Sequence, residues 1–577
     1  MKTAQEYQKR LQRHLDELKW LYCELYPGRE DMFTQLCEQM EAWYQDRPES
    51  EKKLDREREQ EPAWYSRQDM LGMMLYIDAF AGNLKGVKKK LPYLEACNVN
   101  YLHLMPFLDT PKGKSDGGYA VADYRKVQPN LGTMEELASL CSACHEKKMS
   151  VCMDFVMNHT SEDHEWAKRA LAGEKEYQDR YFFYDTPDIP QEFEKTVPQV
   201  FPTTAPGNFT WRDECQKYVM TSFYPYQWDL NYSNPVVFNE MVYNMLYLVN
   251  QGIDIVRIDA VPYIWKQLGT DCRNLPQVHT IVRMIRMITE IVCPGVVLLG
   301  EVVMEPAKVV PYFGTLEKPE CHMLYNVTTM ASTWHTVATK EVALLKQQMD
   351  VVNSLPKEYV FLNYLRCHDD IGWGLDYDFL KPSGIQEIPH KKYLNEYFRG
   401  MAAGSDARGE LYNDDPVLQD ARLCGTTASL CGLETSLQAK DPARIERAIQ
   451  KILMLNAYLF IQSGIPVIYS GDEIGQLNDY SYKDDPDADR AADSRYVHRG
   501  HFRWELEKKR AERGTVQNRI FEGMQKMEKA RFACGPFSGK AAVWTYDTYN
   551  SHVLCICRQL KLSLIHISEP TRRRGIS

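Results

Sequence analysis

The sequence predicts an α/β fold: a (β/α)8 TIM barrel with two inserted subdomains, an N-terminal helical domain and a truncated C-terminal β-sandwich. Three observations carry that expectation. Eight short, near-continuous apolar runs succeed one another from about Met70 onward, the texture of strands buried on both faces of a parallel sheet. Helical patterns separate them, and eight strand–helix units close into a barrel. Charged residues gather directly after the runs, at the end where a barrel carries its working loops.

Residues 1–66 read as helices. Leu11, Leu15, Leu18 and Tyr22 follow three-to-four spacing, and Pro27-Gly28 ends the pattern. A second helix is expected over about Asp31–Tyr44, and the charged run Glu49–Glu61 as a solvated helix or linker. The barrel is expected over 70–533. Its strands are GMMLYIDAF, VNYLHLMP, MSVCMDFVMNH, GIDIVRIDAV, GVVLLGEVV, HMLYNVT, YVFLNYLRCHDD and GIPVIYSGDE. Two connections are too long for plain crossovers, so about 160–233 and about 372–436 are read as inserts on the loop face. Over 535–561, AAVWTYDTYNSHVLCICRQ alternates apolar and polar residues and starts an antiparallel sandwich. Such a domain needs more strands than these to bury a core.

Length and charge bound the rest. A chain of 577 residues holds two to four domains by ordinary domain size. Its 44% hydrophobic and 26% charged composition is that of a globular protein. Lys+Arg 69 against Asp+Glu 79 leaves a net charge of −10, which argues against nucleic acid or an anionic membrane as partner. No apolar run reaches the roughly 18 residues of a membrane helix, and the N-terminus lacks a signal-peptide core. The 16 scattered cysteines are read as free thiols and the compartment as the cytoplasm. The pattern CSACH at Cys141–His145 copies a haem attachment motif but lies in a predicted helix. Asp485, Asp487 and Asp489 start like a calcium loop, but Arg490 and Tyr496 stand where Gly and Glu are needed.

The strand ends carry a coherent set. The third ends in Asp154 and Asn158-His159, the fourth in Arg257-Ile258-Asp259, the fifth in Glu301, the seventh in His368-Asp369-Asp370 and the eighth in Asp472-Glu473. Alternation puts Ile255, Arg257 and Asp259 on one face, so Arg257 is expected to keep Asp259 ionised. The apolar approach to Glu301 is expected to raise its pKa and suit it to proton donation. Carboxylates on adjacent strands lie about 5 Å apart, the separation of a retaining glycosidase. A single such residue is as readily a helix cap or an ion pair; five strand ends together are not.

These residues resemble four motifs of the α-amylase superfamily, glycoside hydrolase family 13. DFVMNH (Asp154–His159) matches its third-strand motif, GIDIVRIDAV its nucleophile motif, LLGEV its acid/base motif and CHDD its last motif. The resemblance implies Asp259 as nucleophile, Glu301 as acid/base and Asp369 as transition-state stabiliser, with Arg257, His159 and His368 around the sugar. Over nearly the whole chain the sequence is similar to the amylosucrase subfamily, through YIDAFAGNLKGV, GKSDGGYAVADYR, QWDLNYSNP, HDDIGW and GDEIGQLND. That similarity implies an Asp116–Arg495 salt bridge closing a glucose pocket, Tyr119 as stacking platform, and Asp370 and Arg422 on the acceptor side. A third acceptor-side arginine falls near His390-Lys391 and is replaced. The implied activity transfers glucosyl units from sucrose to an α-1,4-glucan or to water by double displacement, with no metal or organic cofactor. The alternatives are a sucrose hydrolase or another α-glucosidase or α-amylase type. A non-catalytic binding barrel is disfavoured because Asp259, Glu301 and Asp369 are all present.

The tail breaks the pattern. LSLIHISEPTR (Leu562–Arg572) resembles the in-frame translation of a transposon adapter, so residues 562–577 are expected to be a sequencing artefact. A genomic read reproducing the same tail would refute this.

Overall fold

A computed structural model describes residues 2–304, 306–417 and 419–560. The expectation for 562–577 lies outside them. All eight apolar runs form strands: β1 (Gly72–Leu75), β2 (Tyr101–Leu104), β3 (Ser150–Val156), β4 (Ile255–Asp259), β5 (Val297–Gly300), β6 (Met323–Tyr325), β7 (Val360–Asn363) and β8 (Ile465–Tyr469). Each pairs in parallel with its sequence neighbour, and β8 pairs with β1 to close the barrel. Every residue of the eight strands is buried, as near-continuous apolar runs require. Helices such as Pro235–Val249, Pro276–Val292 and Pro442–Ile461 cover the outside. No helix among the described residues is long and apolar enough to cross a membrane.

Register places the chemistry. In the β3–β4 pair Arg257 lies beside Asp154, and in the β4–β5 pair Ile258 lies beside Gly300, one residue before Glu301. Adjacent parallel strands in register present their side chains to the same face. The side chains of Asp154, Arg257, Asp259 and Glu301 therefore gather at one rim.

Two chain excursions cover that rim. After β3, strand His159–Ser161 pairs with Gln227–Asp229, and a three-stranded sheet (Phe183–Tyr184, Phe209–Arg212, Lys217–Met220) follows the helix Glu165–Leu171. After β7 come helix Glu387–Phe398 and the hairpin Glu410–Asp415/Asp420–Cys424. The excursions meet in a small apolar cluster of Phe201, Tyr412, Cys424 and Val497. The hydroxyls of Tyr224 and Tyr412, one from each, lie 3.0 Å apart.

At the N-terminus, α1 (Lys2–Leu25), α2 (Glu30–Asp46) and α3 (Glu49–Gln60) pack on the barrel. The run expected to be solvated is a helix with a buried charged face, Glu51, Lys52 and Asp55. Arg47 pairs with Asp55 at 2.7 Å, and Arg58 reaches Asp254, the residue before β4, at 2.6 Å. The seam is built from charges satisfied in pairs, the condition under which they tolerate burial. At the other end, strands Ala542–Tyr546 and Cys555–Gln559 form one antiparallel ribbon on helix Ala343–Ser354.

Candidate active site

Arg257 is the centre of the rim. It is 1% exposed. Its Nη1 pairs with Asp154 and, at 2.8 Å, with Asp259 Oδ1; its Nη2 meets Glu301 Oε1 at 2.6 Å. One guanidinium thus spans three carboxyls, a bidentate geometry that lysine has no means to supply. The backbone helps: Ala260, at φ 47°, occupies the sparsely populated left-handed region. That conformation lets its N–H donate to Glu301 Oε2 at 3.1 Å.

Burial dominates the titration of the pair. It pushes Asp259 well above the usual carboxylate range, Glu301's charge adds to this, and Arg257 offsets it only in part. Burial also raises Glu301, again with Arg257 opposing. The expectation that Arg257 keeps Asp259 ionised is therefore corrected: burial outweighs the guanidinium, whose charge is shared with Asp154 and Glu301. Two carboxyls coupled in this way titrate as a unit. Asp154 behaves oppositely. Burial would raise it, but Arg257 and His103 bring it below its ordinary value.

Around this centre lie the other candidates. The Tyr119 hydroxyl donates to Asp154 Oδ1 at 3.1 Å and lies 2.6 Å from His368 Nε2, and the Tyr119 and His368 rings stack at 5.5 Å. Gly118 precedes Tyr119 at φ 101°, and a Cβ there would sit 2.6 Å from Pro106. Only glycine permits this approach. Asp369 is 32% exposed at its side chain. Burial opposes its charge, but His368, Arg499 and Arg495 hold its carboxyl well below the usual range. His159 is set back. Its Nδ1 accepts from the Asn158 amide and its Nε2 donates to the Tyr119 carbonyl, each at 3.2 Å. Burial pushes both His159 and His368 down to about 3, so both are neutral imidazoles at pH 7.

Asp116 and Arg495 form a buried ion pair. Arg495 Nη2 meets Asp116 Oδ1 at 2.9 Å and Asp493 Oδ2 at 2.7 Å, and its guanidinium lies 4.6 Å from the Tyr412 ring centroid. A cavity of 1560 Å3 borders Asp116 and Arg495, with Tyr76, Tyr226 and Arg499 in its wall. Asp259, Glu301 and Asp369 are not among the residues that line it. At the rim Arg422 Nη1 stands 3.5 Å from Asp370 Oδ2.

Sequence reasoning missed two residues here. His103 contacts Asp154 Oδ2 at 2.9 Å; the signal was one polar residue inside the apolar run of β2. Arg499 donates to the His368 carbonyl at 2.7 Å and to Asp369 at 3.3 Å. The strand-eight carboxylates do not join the site. Asp472 grips Arg366, at 2.9 Å from its Nη2, and Glu473 accepts from the Tyr93 hydroxyl at 2.5 Å. Near His159, Lys266 Nζ donates to Asn158 Oδ1 at 2.7 Å and to the Tyr263 carbonyl, with Asp229 at 3.7 Å.

The family model described as "Alpha amylase, catalytic domain" matches residues 48–371. Among curated proteins, a trehalose synthase from Pimelobacter sp. (strain R48) is 29% identical over 402 residues, 68% of this chain and 63% of its own length. A glucosylglycerate phosphorylase from Spirochaeta thermophila is 29% identical over 382 residues, 65% of this chain and 59% of its own. The chain thus spans less than two thirds of the length of either relative. Among solved structures, sucrose 6F-phosphate phosphorylase from Thermoanaerobacter thermosaccharolyticum superposes with a TM-score of 0.66 at 18% identity, covering 86% of this chain and 92% of that one.

Proposed function

The chain belongs to the alpha-amylase catalytic-domain family, and we propose that it is a retaining α-glucosyl transferase with sucrose as donor, resembling amylosucrase. The observation that carries the reading is one buried guanidinium holding Asp259 and Glu301 at adjacent strand ends, and we read the buried Asp116–Arg495 pair as the closed floor of the glucosyl pocket. A closed floor favours a terminal glucosyl unit over an internal chain bond.

Each residue then has a role. Asp259 attacks the anomeric carbon while Glu301, as the acid, gives its proton to the departing fructose oxygen. The fructosyl bond breaks as the glucosyl–Asp259 ester forms. Glu301, now ionised, takes the proton of an acceptor hydroxyl as the ester breaks. Asp369, held charged by Arg499 and Arg495, faces the cationic character of the transition state. Tyr119 supplies an aromatic face for the ring. With a glucan 4-hydroxyl as acceptor an α-1,4-glucan grows; with water, glucose is released. The similarity to a trehalose synthase and a glucosylglycerate phosphorylase supports a glucosyl donor.

The test is incubation with sucrose alone, with glucose, fructose and glucan measured. The reading expects fructose in excess of glucose, with the difference recovered as glucan. Equal glucose and fructose without polymer overturns transfer in favour of hydrolysis. Absence of fructose overturns sucrose as donor.

A further inference from the structure

We propose that His103 is a positioning residue of the carboxyl pair: by holding Asp154 Oδ2 it keeps Arg257 from closing on Asp154 and leaves the guanidinium spread over Asp259 and Glu301. In the β2–β3 pair His103 lies beside Cys152, two residues before Asp154. Alternation puts Cys152 and Asp154 on one face, so the imidazole and the carboxyl share that face. His103 is 0% exposed, and its Nε2 lies 2.9 Å from Asp154 Oδ2. Burial opposes the charge on Asp154, but Arg257 and His103 sustain it, and a carboxylate only accepts, so Nε2 is the donor.

The donors on Asp154 are divided. Oδ1 takes Arg257 Nη1 and the Tyr119 hydroxyl, whereas Oδ2 takes His103. The same Nη1 reaches on to Asp259 Oδ1 at 2.8 Å, and Nη2 to Glu301 Oε1 at 2.6 Å. An arginine and a carboxylate favour a two-pronged pair that engages both oxygens. Arg257 Nε has no hydrogen-bond partner among the described residues, so a free acceptor beside it draws the guanidinium. With Oδ2 filled by His103, that pair does not form. His103 Nδ1 has no partner among the described residues either, so the ring is tied to Asp154 alone. Without His103 a buried oxygen is left bare. Arg257 then turns to Asp154, and Asp259 loses its donor. The charged and titratable groups facing Asp259 and Glu301 are Arg257 on β4, Asp154 on β3, and Asp369 and the Tyr364 phenol after β7. Among them only Arg257 favours the ionised pair, so losing its contact makes the pair harder to ionise. The proposal rests on Asp259 acting as nucleophile.

The test compares three variants. His103→Gln carries an amide that reaches the place of Nε2. His103→Asn carries the same amide at the place of Nδ1, short of Asp154, and His103→Phe keeps a ring without a donor. Turnover of α-glucosyl fluoride is followed across pH, with thermal unfolding showing which variants fold. Fluoride departs without an acid and needs no fructose site, so the result stands whether or not sucrose is the donor. The acid limb of kcat/KM reports ionisation of the pair in the free enzyme. H103N and H103F should move that limb up by about one pH unit, so that at the acid end they run about tenfold slower than wild type. H103Q should bring the limb back toward the wild-type position. An unmoved limb in a folded H103N or H103F, or a limb displaced equally in H103Q, overturns the proposal, as does failure of both donorless variants to fold, which makes His103 structural. A wild type inactive on both the fluoride and sucrose overturns the proposed reaction and the proposal with it.

Discussion

Asp254→Asn is the sharpest test of how the barrel holds its fourth strand. Asp254 precedes β4 and is 1% exposed. It takes Arg58 of α3 at 2.6 Å, His145 Nε2 at 2.9 Å and the Val151 N–H of β3 at 2.7 Å, while its own carbonyl accepts from Val297 of β5. Burial opposes its charge, but Arg58 and His145 lower its pKa from 3.8 to about 2. At about 1.36 kcal/mol per tenfold change this is about 2 kcal/mol of stability. The His145 side is larger. Burial lowers it, but Asp254 and Glu51 raise it from 6.5 to about 10, or about 5 kcal/mol. That figure includes Glu51, as the Asp254 value includes Arg58 and the Val151 N–H. Asparagine leaves Arg58 without its charge partner and His145 with Glu51 alone, and removing one partner of a buried pair costs up to about 3–5 kcal/mol.

The assay is thermal unfolding across pH. A loss of about 2–5 kcal/mol, divided by about 2.1 cal/mol/K for each of 577 residues, lowers Tm by about 2–4 °C. The Asp254 contribution has a depressed folded pKa, so it is present above pH 3.8 and lost as pH falls toward about 2. The His145 contribution has a raised folded pKa, so it is complete below pH 6.5 and lost as pH rises toward about 10. The gap between wild type and D254N is therefore widest between about pH 4 and 6.5 and narrows toward pH 10. A gap under about 0.5 °C at pH 6, or one unchanged to pH 10, would refute the reasoning.

Further outcomes follow from the same geometry. Asp116→Asn weakens the pocket floor while Asp493 still holds Arg495, so steady-state kinetics should show the sucrose KM rising about tenfold with a smaller fall in kcat. Burial raises Glu473 from 4.5 to about 7, so wild-type stability falls by about 3 kcal/mol as pH rises through that interval. Glu473→Gln should flatten this, read as a Tm difference between pH 4 and pH 8 that shrinks. Lys266→Met leaves Asp229, at 0% exposure, unpaired, so unfolding should report a loss of about 3–5 kcal/mol.

The barrel was legible because each strand is a run of apolar residues flanked by helical pattern, and burial on both faces demands just that. The site was legible where chemistry sits at strand ends, as with Arg257, Asp259 and Glu301. It was less legible where partners come from loops or strand interiors. His103 is the one polar residue of the strand Tyr101–Leu104, and Arg499 follows Arg495 by four residues in a loop with no periodicity to place it. Asp472 and Glu473 sit at a strand end yet serve packing, because Arg366 and Tyr93 reach them first. The α3 run looked solvated because charge was counted without pairing. Its Glu51, Asp55 and Arg58 recur at four- and three-residue spacing and share one buried face. The charge state of Asp259 was misjudged because the sequence places Arg257 beside it but does not show that the same guanidinium serves Asp154 and Glu301.

The central claim is that Asp259 is the nucleophile and Glu301 the acid/base of a double displacement. Glu301→Gln incubated with α-glucosyl fluoride tests it most directly, because fluoride departs without an acid while the ester is left without its base. The account predicts one glucosyl unit attached to Asp259, found by peptide mass spectrometry and missing when Asp259→Asn is added. A label on another carboxylate, or wild-type turnover with no adduct, would contradict it.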